Sequence, residues 1–384
     1  MAFIIILLSM VLYSTALHTT RPIVSLFADM QGASPWLIGL LVSSYALFPM
    51  LFALTIGKWT DRFGTRKMAF LGSSGMFLAI LIPVVMPSIT SLFISQLLLG
   101  FCQVCMIVAY QKTVGNLPGN RDKTIMWFTL MGAIGNFFGP LIGGFTFEHF
   151  GFQVTFAVAA CLIFIGVTCG ICLKKAAWKS GEASKTVKNV KFLSSVALLK
   201  EKNLRNALIS SGLVLYSKDL FVAYFPVYGN SIGLTPTEIG FVLSASAGMA
   251  VVIRLSQYWL VNTFGRSIVL TVMLILSGIS FIFIPFVSWL PILLILSGLM
   301  GAGLGLGQPL SLVYALNFSK KARHGEILGI RLTLNRGSQF FAPFVFGAIG
   351  SFAGLIPIFL TSGLFLLIGA FGTKVKEEEN VESH

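Results

Sequence analysis

The sequence predicts an all-α membrane protein of twelve transmembrane helices, arranged as two six-helix pseudo-repeats. Three observations carry this expectation. Of 384 residues, 56% are hydrophobic and only 10% are charged, whereas soluble domains run near half apolar and about a quarter charged. Apolar stretches of about 20 residues, the length that spans a bilayer as a helix, recur along the whole chain. Segments of the first half return in order in the second, at a nearly constant offset of 201 residues.

Only helices and closed barrels satisfy their backbone in lipid. Barrel strands are about 10 residues long and alternate strictly. These runs are longer and do not alternate, so they read as helices. The expected spans are Ala2–Leu26, Trp36–Gly57, Met68–Met86, Ser91–Tyr110, Ile125–Phe145, Val154–Leu173, Asn206–Val227, Ile239–Leu260, Ile268–Val287, Pro291–Leu316, Ile327–Ser351 and Gly354–Thr373. The first run lacks the basic flank of a signal peptide, and the repeat needs it as a span.

The formal net charge is +14, and its placement explains it. With the N-terminus in the cytoplasm, the inner loops hold Lys58, Arg62, Arg66, Lys67, Lys112, Arg121, Lys123, Arg266, Lys320, Lys321 and Arg323, together with a lysine-rich stretch at 174–205. The outer loops hold no Lys or Arg. This is the positive-inside pattern, and it places both termini in the cytoplasm of a cell inner (plasma) membrane protein. The excess charge then meets anionic membrane lipids, not nucleic acid. Two C-x-x-C pairs, Cys102/Cys105 and Cys169/Cys172, lie in apolar helices without His or acidic neighbours, so no metal site is expected.

The polar stretch 174–205 divides the chain into a six-helix bundle at 1–173, a cytoplasmic linker, a second bundle at 206–373 and a cytoplasmic tail at 374–384. In the repeat, Gly32, Pro35, Ile38, Gly39 and Ser43 align with Gly233, Pro236, Ile239, Gly240 and Ser244. Phe63 and Gly64 align with Phe264 and Gly265, and Gly100 with Gly301. Two residues further out of register, Pro140 and Gly144 align with Pro343 and Gly347.

Between spans 2 and 3 stands GKWTDRFGTRK (57–67). Gly57, Asp61, Arg62, Gly64, Arg66 and Lys67 resemble the gating-loop signature of the major facilitator superfamily. The copy in the second half, LVNTFGRS (260–267), keeps Gly265 and Arg266 but has Asn262 in place of the aspartate. On physical grounds Gly57 permits close helix approach, and Asp61 could accept bonds from the free N–H groups at a helix N-terminus. In span 5, Gly135, Gly139, Pro140, Gly143 and Gly144 resemble a motif of the twelve-helix drug/proton antiporters of that superfamily; the same glycines also fit generic small-residue helix packing. The resemblance implies alternating access driven by a proton gradient, with no bound cofactor. Proton-coupled relatives often carry an arginine where this chain has Gln96, which leaves the coupling route to other residues.

Charges inside spans are expensive and read as functional. Arg254 and Arg331 lie near a cytoplasmic end, where they can snorkel. Arg336, Lys218, Asp219, Arg21 and His18 lie deeper. Asp219 is the one carboxylate well inside a span, so it is the first choice for proton coupling, with His18 as a further candidate; a structural ion pair with Arg21 or Arg336 is the competing reading. Arg21, Arg336 and Lys218, with Gln103, Tyr110 and Gln339, are the candidate substrate-binding residues. A cationic site suits carboxylate or phosphate, which arginine binds with two parallel hydrogen bonds. The expected substrate is therefore a small anionic or zwitterionic organic metabolite, with carboxylate-bearing metal chelators as one class. Alternatives are a multidrug exporter of lipophilic compounds, or an importer or uniporter on the same fold. An intramembrane enzyme lacks support, since the chain has no H-E-x-x-H and no paired intramembrane carboxylates. A monomer is expected. The glycine ladder GLMGAGLGLGQP (298–309) follows no strand, so it reads as helix packing and not as a nucleotide loop.

Overall fold

The computed structural model describes residues 2–117, 120–173, 178, 201–317 and 324–372. The expected tail 374–384 and the basic residues Lys320, Lys321 and Arg323 lie outside these, as does the expected linker apart from Trp178 and residues 201–205. The described residues form α1 (Ala2–Met30), α2 (Pro35–Phe63), α3 (Thr65–Val85), α4 (Ile89–Gly115), α5 (Arg121–Cys172), α6 (Lys202–Ser231), α7 (Pro236–Leu255), α8 (Gln257–Phe264), α9 (Arg266–Phe283), α10 (Leu290–Asn317), α11 (His324–Ala353) and α12 (Leu355–Gly372), with a 3₁₀ turn at Ile284–Phe286.

Among the described residues, ten helices are long and apolar enough to cross a membrane. One of them, at Lys123–Cys172, is 50 residues long, more than two bilayer crossings require. It breaks at Gly151, whose φ of 81° is open to glycine and strained for other residues. Spans 5 and 6 are therefore separate, as the sequence suggests. α11 is not among the ten, because Arg331, Asn335, Arg336 and Gln339 dilute its apolarity.

One span differs from expectation. Ile239–Leu260 is not continuous: α7 stops at Leu255, Ser256 turns the chain, and α8 starts at Gln257. The sequence offers no Pro or Gly at this point to announce the break. No residue of α8 is buried, and Tyr258 and Trp259 are 80% and 61% exposed. Amphipathic rings of this kind favour the membrane–water interface.

The duplication is written in the backbone. The described residues contain six positive-φ glycines and no positive-φ residue of another type. They form the pairs Gly32/Gly233, Gly64/Gly265 and Gly151/Gly354, at the offsets read from the sequence. Gly64 (φ 88°, ψ 149°) and Gly265 (φ 80°, ψ 153°) make the same sharp turn between helices in each half. A non-glycine residue would be strained at both.

The helices start with local signals. Ser34 accepts from the Leu37 N–H ahead of Pro35 at the first turn of α2, and Ser88 forms a capping box with Ser91 on α4. Thr235 and Glu238 exchange the same pair of bonds at the start of α7.

The chain falls into two compact units. The first holds residues within 1–185 together with Phe221–Ser244 and Phe340–Phe352; the second holds residues within 186–220, Ala245–Gln339 and 353–384. These do not coincide with the halves 1–173 and 206–373, because parts of α6, α7 and α11 join the first unit. The division into halves rests on the repeat and not on compactness. The core of the first unit includes Tyr13, Leu26, Ile38, Phe156, Tyr224 and Phe225; that of the second includes Leu208, Leu274, Phe281, Met300 and Phe359.

Candidate functional site

The second unit carries a polar network on three helices, α6, α10 and α11. On α11, Arg331, Asn335 and Gln339 recur every four residues and so share one face. Arg331 donates from Nη2 to the Gln308 backbone oxygen at 2.9 Å and to Gln308 Oε1 at 2.8 Å. Gln308 on α10 donates to the Ser211 backbone oxygen at 2.8 Å, and Ser211 Oγ on α6 donates to Asn335 Oδ1 at 2.9 Å. Two turns along α6, Asp219 is 4% exposed. Its Oδ2 accepts from Gln339 Nε2, while Gln339 Oε1 accepts from Arg336 Nη1 at 3.0 Å. One amide thus links the buried carboxylate to the guanidinium. Arg336 and Gln339 are half-buried.

This arrangement sets a guanidinium and a carboxylate on either side of one amide. Lys218 differs from its neighbour: it is exposed, whereas Asp219 is buried. Adjacent helical residues point to different sides, which accounts for the split. Arg254 donates from Nε to the Gly305 backbone oxygen at 3.0 Å.

In the first unit, α1 packs along the glycines of α5. A Cβ on Gly135 would collide with Ser14 and Thr15, one on Gly139 with His18 and Thr19, and one on Gly143 with Thr19. Ser14 Oγ donates to the Gly132 oxygen at 2.6 Å and Thr19 Oγ1 to the Gly139 oxygen at 3.1 Å. The antiporter-like motif is therefore the surface that brings α1 close. Gly144 meets the Pro236 oxygen of α7 in the same manner, and Gly240 covers the Pro140 oxygen. His18, seated on this ladder, has its Nδ1 2.8 Å from the Ser14 oxygen. One turn along, Arg21 places its guanidinium 4.8 Å from the centre of the Tyr45 ring, a cation–π contact.

Other sequence candidates lie elsewhere. Tyr110 is buried between Tyr13 and Trp178, with ring centres at 5.9 and 5.5 Å. Gln103 Oε1 is buried without a hydrogen-bond partner. Asp61 ends up in the last turn of α2 and pairs with Lys112 of α4. It does not cap the next helix: the residue before α3 is Gly64, with no side-chain cap bond. Gly57 has open space around it, so close helix approach does not account for it in this structure. Arg62, Arg66 and Lys67 are exposed. The glycine ladder at 298–309 packs as expected: Gly301 against Ser246, Gly303 against Ser277, Gly305 against Ala250 and Gly307 against Val214.

Sequence reasoning treated Arg331 as a snorkelling cation, whereas the structure gives it partners on α10. The four-residue spacing of Arg331, Asn335 and Gln339 was the available signal. Ser211 was not singled out, since a lone serine in an apolar run is common.

Paired repeats, apolar spans and a buried charge network define a multi-pass membrane transporter. The chain belongs to the Major Facilitator Superfamily, whose profile it matches over residues 3–258 and 207–383. It is accordingly a secondary transporter and not an enzyme. It is 24% identical over 387 residues to Multidrug resistance protein 2 of Bacillus subtilis (strain 168), covering 98% of this chain and 96% of that one. It is 32% identical over 113 residues to the class B tetracycline resistance protein of Escherichia coli, covering 29% of this chain and 28% of that one. Its fold matches the crystal structure of the nucleoside transporter NupG with a TM-score of 0.84 at 12% identity, over 97% of this chain and 98% of that one.

Proposed function

We propose that this protein is a proton-coupled exporter of a small organic zwitterion or anion, working by alternating access as a monomer in the cell inner membrane. Both termini would be cytoplasmic, since every short basic loop then falls inside. The observation that carries the substrate class is the Arg336–Gln339–Asp219 chain in the second unit. A buried charge costs several kcal/mol unless paired or used.

The sign of coupling narrows the substrate further. Protonating Asp219 removes a negative charge, which would favour binding of a pure anion to Arg336. Proton and anion would then bind together, which is the logic of symport. A zwitterion behaves differently. Its carboxylate or phosphate takes Arg336, and its cationic end takes Asp219. A proton on Asp219 displaces the cationic end, so proton and substrate exclude one another, as antiport requires. Carboxylate-bearing metal chelators with a basic nitrogen are one such class. Arg21 and His18 in the first unit offer a second cationic position.

The relative named for multidrug resistance supports a second reading, an exporter of lipophilic compounds in which the arginines only hold helices together. A thermal-shift screen of the purified protein separates the two, because a bound ligand raises the melting temperature by mass action. Zwitterions and anions, chelators included, should stabilise it. Stabilisation by lipophilic cations alone would establish the second reading.

A further inference from the structure

The first unit contains a cavity of about 620 Å³ that lies outside the Arg336–Gln339–Asp219 substrate site proposed above. It lies where α2 turns into α3, and its walls include Arg66, Lys67, Phe70, Tyr110, Gly170 and Trp178. Its chemistry is two-ended. Arg66 and Lys67 are exposed, and no ion pair involves either among the described residues. They stand in the first turn of α3, whose N-terminal N–H groups lack a side-chain cap. A helix start of this kind favours an anion.

Phe63 and Phe70 at the cavity are 49% and 53% exposed. Val167 and Ile171 continue the wall as an apolar surface. Trp178 closes it. This residue is only 7% exposed, its backbone oxygen accepts from Thr65 Oγ1 at 3.1 Å, and its ring meets Tyr110 edge-on. Its indole Nε1 is buried without an acceptor. Buried donors are nearly always satisfied, and an orphan asks for a partner.

We propose that this cavity holds one phosphate-headed anionic lipid. Arg66, Lys67 and the start of α3 take the phosphate, the acyl chain lies over Phe70, Val167 and Ile171, and Trp178 Nε1 donates to a headgroup or ester oxygen. The volume and apolar wall exceed what a free phosphate fills. The site rests on the inner-surface placement of this loop proposed above, and not on the substrate reading.

The test uses the full chain, released from nanodiscs and weighed intact by native mass spectrometry, a readout that involves no transport. With equal phosphatidylglycerol and phosphatidylcholine, one phosphatidylglycerol should be retained about fivefold in preference, the effect of one cation's worth of headgroup attraction or more. Arg66→Gln with Lys67→Gln should abolish the preference. Trp178→Phe, which keeps an aromatic side chain and removes the donor, should weaken it. Arg121→Gln with Lys123→Gln, an equal loss of charge on another loop, should not. Equal retention of the two lipids would overturn the proposal, as would a preference that survives both sets of changes or falls equally in the Arg121/Lys123 double variant. Displacement of phosphatidylglycerol by millimolar inorganic phosphate would overturn it in favour of a soluble-anion site. If the double variant fails to fold, Trp178→Phe decides.

Discussion

Gly39 of α2 packs against the backbone oxygen of Pro343 on α11, so closely that a Cβ would overlap it. The repeat-related residues repeat the contact, with Gly240 of α7 against the Pro140 oxygen of α5. A second pair obeys the same symmetry, Gly347 against Pro35 and Gly144 against Pro236. Four glycine–proline contacts thus form a pseudo-two-fold set inside the first unit. Each joins a helix of one half to a helix of the other, and alternating access requires such contacts to open and close.

Valine at Gly39 should therefore destabilise the protein and impair transport together. Overpacking against backbone costs about 1–3 kcal/mol, because a carbonyl cannot rotate away. Gly240→Val should behave alike. Gly57→Ala, with open space around the glycine, serves as the stability control. Melting temperatures and flux in proteoliposomes measure both effects. Unchanged stability in Gly39→Val would show that the contact is not tight in the membrane.

Tyr224 sits at the same junction. It is fully buried, and its Oη lies 2.6 Å from the Pro343 oxygen and 3.1 Å from the Pro35 oxygen. Its single hydroxyl proton serves either acceptor. Tyr224→Phe keeps the ring and removes the bond, so a loss of about 0.5–1.5 kcal/mol is expected in thermal or denaturant unfolding. Tyr216→Phe, whose hydroxyl makes a longer contact of 3.4 Å to Ser362, should cost less.

Much of this architecture was legible in the sequence, for a physical reason. Lipid leaves no choice of backbone structure, so span length and apolarity report the helices directly. The repeat offset was visible in Gly32, Gly39 and Gly64, and their backbone angles and contacts explain why those residue types stand there. The break at Ser256 was not legible, because no Pro or Gly marks it. The partners of the polar residues were hidden as well. Lys112 lies 51 positions from Asp61, and Gln339 lies 120 from Asp219. Which polar face meets which is decided by helix packing and not by local sequence. The depth of Asp219 could be read from its span, whereas its link to Arg336 through an amide could not.

Glu148 supplies a pH-dependent contact in the loop between spans 5 and 6. Its carboxylate accepts from the Thr237 backbone N–H at 2.9 Å, at the N-terminus of α7. Thr237, facing it with its side chain and its backbone N–H, holds its pKa below the ordinary carboxylate value. A depressed pKa contributes stability above the unfolded value, and that contribution is lost as pH falls through the folded one. Glu148→Gln should therefore lower stability slightly at neutral pH, by less than about 1 kcal/mol for so exposed a group, read as a small drop in melting temperature. The difference from the unmodified protein should shrink as pH falls through the depressed folded-state pKa and vanish once the carboxylate is protonated in both states. A difference that persists in acid would assign the effect to shape and not to charge.

The strongest test of the transport site concerns Arg336 and Asp219 taken as a pair. Arg336→Ala removes the guanidinium that would receive the substrate's anionic group, so flux should fall to background while the protein still inserts and melts cooperatively. Arg336→Lys keeps the charge but loses two-point binding, so partial activity with weakened affinity is expected. Asp219→Asn keeps the bond from Gln339 and removes the titrating group. That variant should exchange substrate across the membrane at equilibrium yet fail to accumulate it against a gradient when a pH difference is imposed. Uphill transport driven by pH in Asp219→Asn would place the coupling proton elsewhere, with His18 on the glycine ladder of α5 as the next residue to replace. If Arg336→Ala retains normal flux, the arginine is a structural partner of Gln339, and the lipophilic-compound reading gains accordingly.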